Sequence, residues 1–323
     1  MINELIQFIF LGITTSYHVW ASWRDPYRKN PPGQLIDMGG YNLHIYCQGQ
    51  GDITVILDHS LGGIDGYFLI EDIAKITKVC IYDRGGYGWS DASPKKRCSQ
   101  VIVQELDELL QRANIQPPYL LVGDSFGSYN MRLYAHYFPE KVRGLIFTDG
   151  LHEEGMLTLS PQLKLLKLFF ISGFFLSIFG SILGLVRLLG TLKIFELIKP
   201  ELKQFSPTIL AKVKRSFYHY QHWLTMGQEM INLDLSGQQM RKANDLGDLP
   251  LISIKAKTFF KSSPWNFYLP LKAADQLRDK MQIAILNISS NSQQIQAYNS
   301  SHFVWIDEPE IIISAIKQLI DNS

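Results

Sequence analysis

Short, predominantly apolar runs set at regular intervals constrain this chain more than any other feature. They are Ile53–Leu57, Val79–Tyr82, Tyr119–Val122, Leu145–Thr148 and Leu251–Ile254, each bounded by Gly, Asp or Pro and enriched in β-branched or aromatic residues. A strand that is apolar on both faces has to be covered on both, which is the signature of a mostly parallel sheet flanked by helices. Helical patterns fill the intervals, notably Val101–Ala113 and Tyr129–Tyr137. Ahead of the first run, Gln34–Met38 and Tyr41–Cys47 are split by Gly39-Gly40 and read as a hairpin. A last strand is expected near Gln294–Tyr298 and a closing helix over Glu308–Ile320.

The rhythm stops after Gly150. Residues 151–249 carry Leu, Phe and Lys at helical spacing with no convincing strand, and strands resume at Pro250. An α/β core over residues 34–150 and 250–323, interrupted by an all-helical insertion over 151–249, is the simplest organisation.

Two stretches raise the question of a membrane. Leu5–Trp23 is nearly as long as the roughly 20 residues a spanning helix needs, although Gln7, Thr14, Thr15, Ser16 and His18 interrupt it. Residues 1–23 are therefore read as a hydrophobic helix that anchors the chain, by spanning the bilayer or lying in its interface. The alternative is a helix packed on the domain. Arg24, Arg28 and Lys29 follow it, which for a span favours a cytoplasmic catalytic domain. Leu168–Val186 contains no charge, but a single crossing there would separate the two halves of the core. Gly173, Gly180 and Gly184 are expected to break it into pieces suited to a bent, packed segment.

Gly123-Asp124-Ser125-Phe126-Gly127 follows a strand and opens a helix. That setting forces a tight turn in which the serine is strained and its hydroxyl projects at the sheet's carboxyl edge. A serine hydroxyl is a weak nucleophile, so it requires a base within hydrogen-bond reach and a group to orient that base. Among eight histidines, His302 fits best, in a Ser-rich turn late in the chain.

Three segments carry a resemblance to a known family. Tyr82-Asp83-Arg84-Gly85-Gly86-Tyr87-Gly88-Trp89-Ser90-Asp91 resembles the Tyr-Asp-Arg-x-Gly-Tyr-Gly-x-Ser-Asp loop of α/β-hydrolases. Leu121–Gly127 resembles their nucleophile elbow. Ser301-His302-Phe303, followed by Asp307-Glu308-Pro309-Glu310, resembles their catalytic-histidine turn and last helix. The resemblance implies the α/β-hydrolase fold with an inserted helical lid, and an enzyme of the serine-nucleophile branch.

It also implies where the acid should lie. The usual place follows Leu251–Ile254, but no Asp or Glu occurs there before Asp275. Some members carry the acid at the end of the preceding strand, where this chain has Asp149; Asp275 stays in reserve. The oxyanion donors by family position are the amides of Phe126 and Leu61, the latter in His59-Ser60-Leu61-Gly62-Gly63 with His59 structural. Dehalogenases and epoxide hydrolases with an Asp nucleophile place it at the apex, which Ser125 fills, so Asp124 is a bystander. Arg84 and Asp91 read as structural, and Glu153 and Glu154 as solvated charges at the entry of the lid.

The expected chemistry is acyl transfer to water with no metal or organic cofactor. The Phe-, Leu- and Ile-rich lid and the N-terminal helix point to a small hydrophobic substrate, a carboxylester or lipid-like ester, at a membrane. Two alternatives stay open: an aminopeptidase of the proline-iminopeptidase kind, which would need acidic lid residues, and a membrane-tethered binding module without turnover. A net charge of +1 with scattered Lys and Arg speaks against nucleic acid as a partner. Cys47, Cys80 and Cys98 are too few and odd in number for a disulfide framework, and are read as buried thiols compatible with a reducing compartment.

Overall fold

A computed structural model describes residues 2–26, 31–261 and 269–322; Arg28 and Lys29, named above, lie outside them. Eight strands form one sheet in the order β1-β2-β4-β3-β5-β6-β7-β8. They are β1 (Gln34–Asp37), β2 (Asn42–Gln48), β3 (Thr54–Asp58), β4 (Lys78–Asp83), β5 (Tyr119–Asp124), β6 (Val142–Thr148), β7 (Leu251–Ala256) and β8 (Ser292–Ala297). The first hairpin is antiparallel and β2 runs antiparallel to β4, while every later pairing is parallel.

The central strands are apolar throughout because both faces are covered. Ile56, Cys80, Leu121 and Leu145 join one core cluster. Their strand neighbours Val55, Leu57, Val79, Ile81, Leu120, Val122 and Ile146 join a second on the other face. Successive side chains point to opposite sides of a strand, so one run serves two cores.

The helices are α1 (Ile2–Trp23), α2 (Ile70–Ile73), α3 (Ser99–Arg112) and α4 (Phe126–Tyr137), followed after β6 by a helical insertion. The insertion comprises α5 (Glu153–Met156), α6 (Pro161–Ile182), α7 (Leu185–Thr191), α8 (Ile194–Ile198), α9 (Pro207–Phe217), α10 (Tyr220–Ile231) and α11 (Leu233–Met240). Then come α12 (Leu271–Leu286), α13 (Val304–Asp307) and α14 (Pro309–Asp321). Leu145 of β6 and Leu251 of β7 are paired neighbours, so the whole insertion leaves and re-enters the sheet at one place.

Four features differ from or go beyond the expectations. Cys47 and Cys80 are joined in a disulfide, with only Cys98 free. They stand directly opposite in the β2–β4 ladder, a proximity that arises only because β2 doubles back beside β4. Second, α6 is one unbroken helix of 22 residues through Gly173 and Gly180. Only Leu183 and Gly184, the latter left-handed at φ 76°, separate it from α7. Third, α12 went unforeseen, since its buried positions Ala274, Arg278, Met281 and Ile285 include few large apolar residues.

Fourth, Glu153 is not a solvated charge. It is buried, and Arg132 of α4 grips it with Nη1 at 2.9 Å from Oε2. Its neighbour Glu154 is exposed. Removing one partner of a buried ion pair leaves an uncompensated charge, so Glu153→Ala is expected to lower unfolding free energy by about 3–5 kcal/mol. Glu154→Ala should stay within about 0.5 kcal/mol. Urea denaturation of the two variants checks this, and equal effects would contradict the burial.

Candidate active site

The site is assembled at the carboxyl ends of β3, β5 and β6 and in the turn after β8. At the end of β5 the chain reverses into α4 within one residue. Ser125 takes φ 48° and ψ −111°, a conformation that side-chain-bearing residues avoid. The turn is possible because its flanks are bare. A Cβ on Gly123 would come within 2.7 Å of the Gly127 carbonyl carbon, and one on Gly127 within 2.3 Å of the Asp58 carbonyl oxygen. The turn is held by Ser125 N–H donating to the Thr148 carbonyl at 2.9 Å.

His302 is brought in by a braced loop. Asp307 accepts from Ser301 N–H at 2.8 Å and from its hydroxyl at 2.6 Å, and Lys199 of the insertion pairs with the same carboxylate at 2.6 Å. The imidazole lies between two groups named from the sequence. Nε2 is 2.9 Å from Ser125 Oγ and Nδ1 is 2.6 Å from Asp149 Oδ2. A carboxylate only accepts, so Nδ1 carries the hydrogen and Nε2 is left to accept from the serine.

Asp149, like Ser125, is left-handed, at φ 44°. Its other oxygen faces the Ala256 N–H at 3.3 Å and the Arg278 guanidinium at 3.4 Å. Arg278, on α12, escaped sequence reading because its helix did. Asp275, the reserve acid, is turned away; it accepts from Phe259 N–H at 2.7 Å and the Thr258 hydroxyl at 3.1 Å.

Phe126 is the first residue of α4, where a backbone N–H has no partner within the helix. Leu61 sits in the loop after β3, and both residues line the same pocket as Ser125 and His302. That loop is shaped by Arg84, whose Nη1 donates to Asp58 Oδ1 at 2.6 Å and to the His59 carbonyl at 2.8 Å. Its Nη2 donates to the Ser60 carbonyl at 2.9 Å. The same guanidinium grips Glu229 of α10 with two bonds of 3.0 Å. Burial works against the charge of Arg84, and Glu229 and Asp58 outweigh it, holding the group well above its ordinary pKa. Glu229 is the second residue that sequence reading missed, because nothing in a helix of the insertion marks which of its side chains reach the core. His59 is buried with Nδ1 donating to the Ser60 carbonyl at 2.8 Å, and Asp91 accepts from Asn42 N–H at 2.8 Å.

Above Ser125 opens a pocket of about 300 Å³, walled largely by apolar side chains including Leu163, Leu166, Phe170 and Phe174 of α6 and Met226 and Met230 of α10. Among the described residues no group of three His, Cys, Asp or Glu side chains is disposed to hold a metal.

Two further carboxyls are buried close by. The Asp124 side chain accepts from the Thr148 hydroxyl at 2.5 Å, and burial, then the charge of Asp65, pushes its pKa well up. Asp65 Oδ1 has no hydrogen-bond partner among the described residues.

Comparison with known proteins agrees with this fold. The family model described as alpha/beta hydrolase fold matches residues 53–175. The uncharacterised protein YqjL of Bacillus subtilis is 26% identical over 274 residues, covering 83% of this chain and 84% of YqjL. Bacillus subtilis YbdG is 24% identical over 137 residues, and the match spans 42% of its length. An uncharacterised vacuolar membrane protein of Saccharomyces cerevisiae is 29% identical over 139 residues, only 21% of its own length. Among solved structures, the epoxide hydrolase CorEH superposes with a TM-score of 0.65 at 16% identity, covering 90% of this chain and 98% of CorEH. The enol-lactonase from Burkholderia xenovorans LB400 superposes at 0.60 with 12% identity, covering 89% of this chain and all of the lactonase.

Burial, the largest influence on Asp65, pushes its carboxyl up to about 6 from an ordinary 3.8. The folded state thus holds that proton more tightly than the unfolded chain. The associated stability is complete below the ordinary value and is lost as pH rises through about 6. Keeping the ionised form buried above that costs about 3 kcal/mol. Asp65→Asn, which cannot ionise, is expected to melt above the wild type at about pH 8 and to have lost most of that advantage at about pH 4. Calorimetry at the two pH values decides it; an equal shift at both would mean the carboxyl is not neutralised.

Proposed function

This chain is an α/β-hydrolase-fold protein, and from that premise we propose that it is a serine hydrolase cleaving esters of a hydrophobic, lipid-like acid. The observation that carries the reading is the hydrogen-bonded chain Ser125–His302–Asp149, at 2.9 and 2.6 Å, at the foot of an apolar pocket.

In this reading Ser125 Oγ attacks the ester carbonyl while His302 Nε2 takes its proton, and Asp149 stabilises the imidazolium. The negative oxygen forms against the amides of Phe126 and Leu61. His302 returns the proton to the departing alcohol, leaving an acyl group on Ser125. Water, deprotonated by the same imidazole, then releases the acid and restores the hydroxyl. Every proton that leaves one oxygen reaches another through one nitrogen, so the cycle calls on no cofactor.

An epoxide hydrolase is among the fold neighbours. An aspartate nucleophile would have to stand where Ser125 stands, and the Asp124 carboxyl is instead bonded to Thr148. The aminopeptidase reading loses its support too, because Glu153 is occupied by Arg132. The hydrophobic substrate rests on α6, whose Leu163, Leu166, Phe170 and Phe174 wall the pocket while Leu165, Leu168 and Leu176 face outward and exposed.

Membrane association belongs to the same reading. α6 is long and apolar enough to cross a membrane, with 11% of its most apolar stretch buried. Both its flanks return to one sheet, which favours a helix lying along the surface. The Cys47–Cys80 bond favours an oxidising compartment over the cytoplasmic side expected from the basic residues after α1.

A fluorophosphonate probe is expected to label the wild type and not Ser125→Ala. Absence of labelling in the folded wild type would leave the binding-module alternative. Asp149→Asn should reduce turnover of a p-nitrophenyl ester roughly 10⁴-fold. Asp275→Asn should retain most of it, and the reverse order would reassign the acid.

A further inference from the structure

Helix α1 is turned inside out. Thr14, His18 and Ser22 recur every four residues, so they share one stripe, and that stripe faces the protein. Thr14 Oγ1 donates to the Leu183 carbonyl at 2.8 Å, and Arg187 of α7 reaches His18 Nδ1 at 3.2 Å and Ser22 Oγ at 2.8 Å. The remainder of the helix shows mainly apolar side chains to the outside, with Phe8 74%, Ile13 63% and Val19 61% exposed, interrupted by exposed Asn3, Glu4, Gln7 and Ser16. A helix with a polar stripe satisfied inward and a mainly apolar outer face is matched to a medium other than water. Its last turns carry Tyr17, Trp20 and Trp23, the residues of a membrane–water boundary, and the Arg24 guanidinium lies over the Trp20 ring at 4.9 Å.

At this boundary end a groove of about 980 Å³ opens between α1, α7, α8 and α9. Its charged lining is lopsided. Among the described residues Arg24, Arg187, Lys193, Lys203, Lys214 and Arg215 face it, against the carboxylates Asp25 and Glu196. Both carboxylates are engaged, Asp25 with Arg215 at 2.6 Å and Glu196 with Lys214. Arg24, Lys193 and Lys203 are exposed and make no ion pair among the described residues. Uncompensated cations beside a boundary of tryptophans call for an anion held at the level of lipid headgroups.

We propose that this groove binds the phosphate-bearing headgroup of an anionic phospholipid, docking the protein on a bilayer with the apolar face of α1 in the acyl region. The groove lies outside the Ser125 pocket, so the proposal stands apart from the hydrolase reading. It also sets the orientation of the molecule: α6, whose outer face carries exposed Leu165, Leu168, Leu176 and Phe179, is the wall between the lipid and the pocket.

The test uses the full-length chain in co-sedimentation with vesicles of phosphatidylcholine alone and of equal parts phosphatidylcholine and phosphatidylglycerol. The wild type is expected to bind the anionic vesicles more tightly. Lys193→Gln/Lys203→Gln should weaken that binding about 30-fold and leave binding to neutral vesicles unchanged. Lys95→Gln/Lys96→Gln, which removes the same charge outside the groove, should change neither. Equal wild-type binding to both vesicles would overturn the proposal, as would an equal loss in the two double variants. Binding to neither vesicle, with a dimer in sedimentation velocity, would overturn it and assign the face to a second copy of the chain. Hydrolysis of a soluble short-chain ester, measured alongside, should be the same in all these proteins, which separates failure of the groove from failure of the active site.

Discussion

Arg84 is the fixed point of the molecule. Its guanidinium is fully enclosed, which is tolerable only because Asp58 and Glu229 compensate the charge and the carbonyls of His59 and Ser60 take the remaining hydrogens. Those partners are the end of β3, the loop that carries Leu61, and a helix of the insertion. One planar group thereby sets the loop expected to supply an oxyanion donor, and seats α10 over it. Tyr87 and Asn130 extend the network, donating to Glu229 at 2.9 Å and to Asp58 at 2.7 Å. Arg84 does not line the Ser125 pocket and reaches the site through the loop and the helix it joins.

Two of the four described non-glycine residues with positive φ lie where the chemistry is expected. Ser125 and Asp149 both have positive φ, and the backbone of each is pinned by the strand beside it, to Thr148 and Ile254. The sheet thus stores the distortion, and the two side chains are aimed at His302 before any substrate arrives. The imidazole itself comes from a loop, but Asp307 and Lys199 brace that loop against the insertion.

The insertion has one covered side and one bare side. The inner side of α6 walls the pocket and its outer side is bare, while α1 clings to α7 by polar contacts and leaves its apolar surface uncovered. Both features are strange for a protein surrounded by water. Both are ordinary if a bilayer lies against that side, since apolar surface then needs no protein cover.

The local rhythm of the chain was enough to determine the parallel sheet, its strands to within a few residues, the interruption after Gly150 and the elbow around Ser125. Each depends on apolar periodicity or on glycines in a tight turn, which neighbouring residues settle among themselves. His302 and Asp149 were legible through the resemblance of their surroundings to a family, and the fold brought them to Ser125. The Cys47–Cys80 pairing, the reach of Arg84 to Glu229, the Arg132–Glu153 pair and Arg278 beside Asp149 were not legible. Each joins residues far apart in sequence, and chain order does not say which distant side chains will meet. Whether α6 would be buried or bare was open for the same reason: a run of Leu and Phe has the same composition in a core, against a substrate or against lipid. Only the packing of α10 and α12 on its inner side, with no described residue covering its outer side, separated those cases.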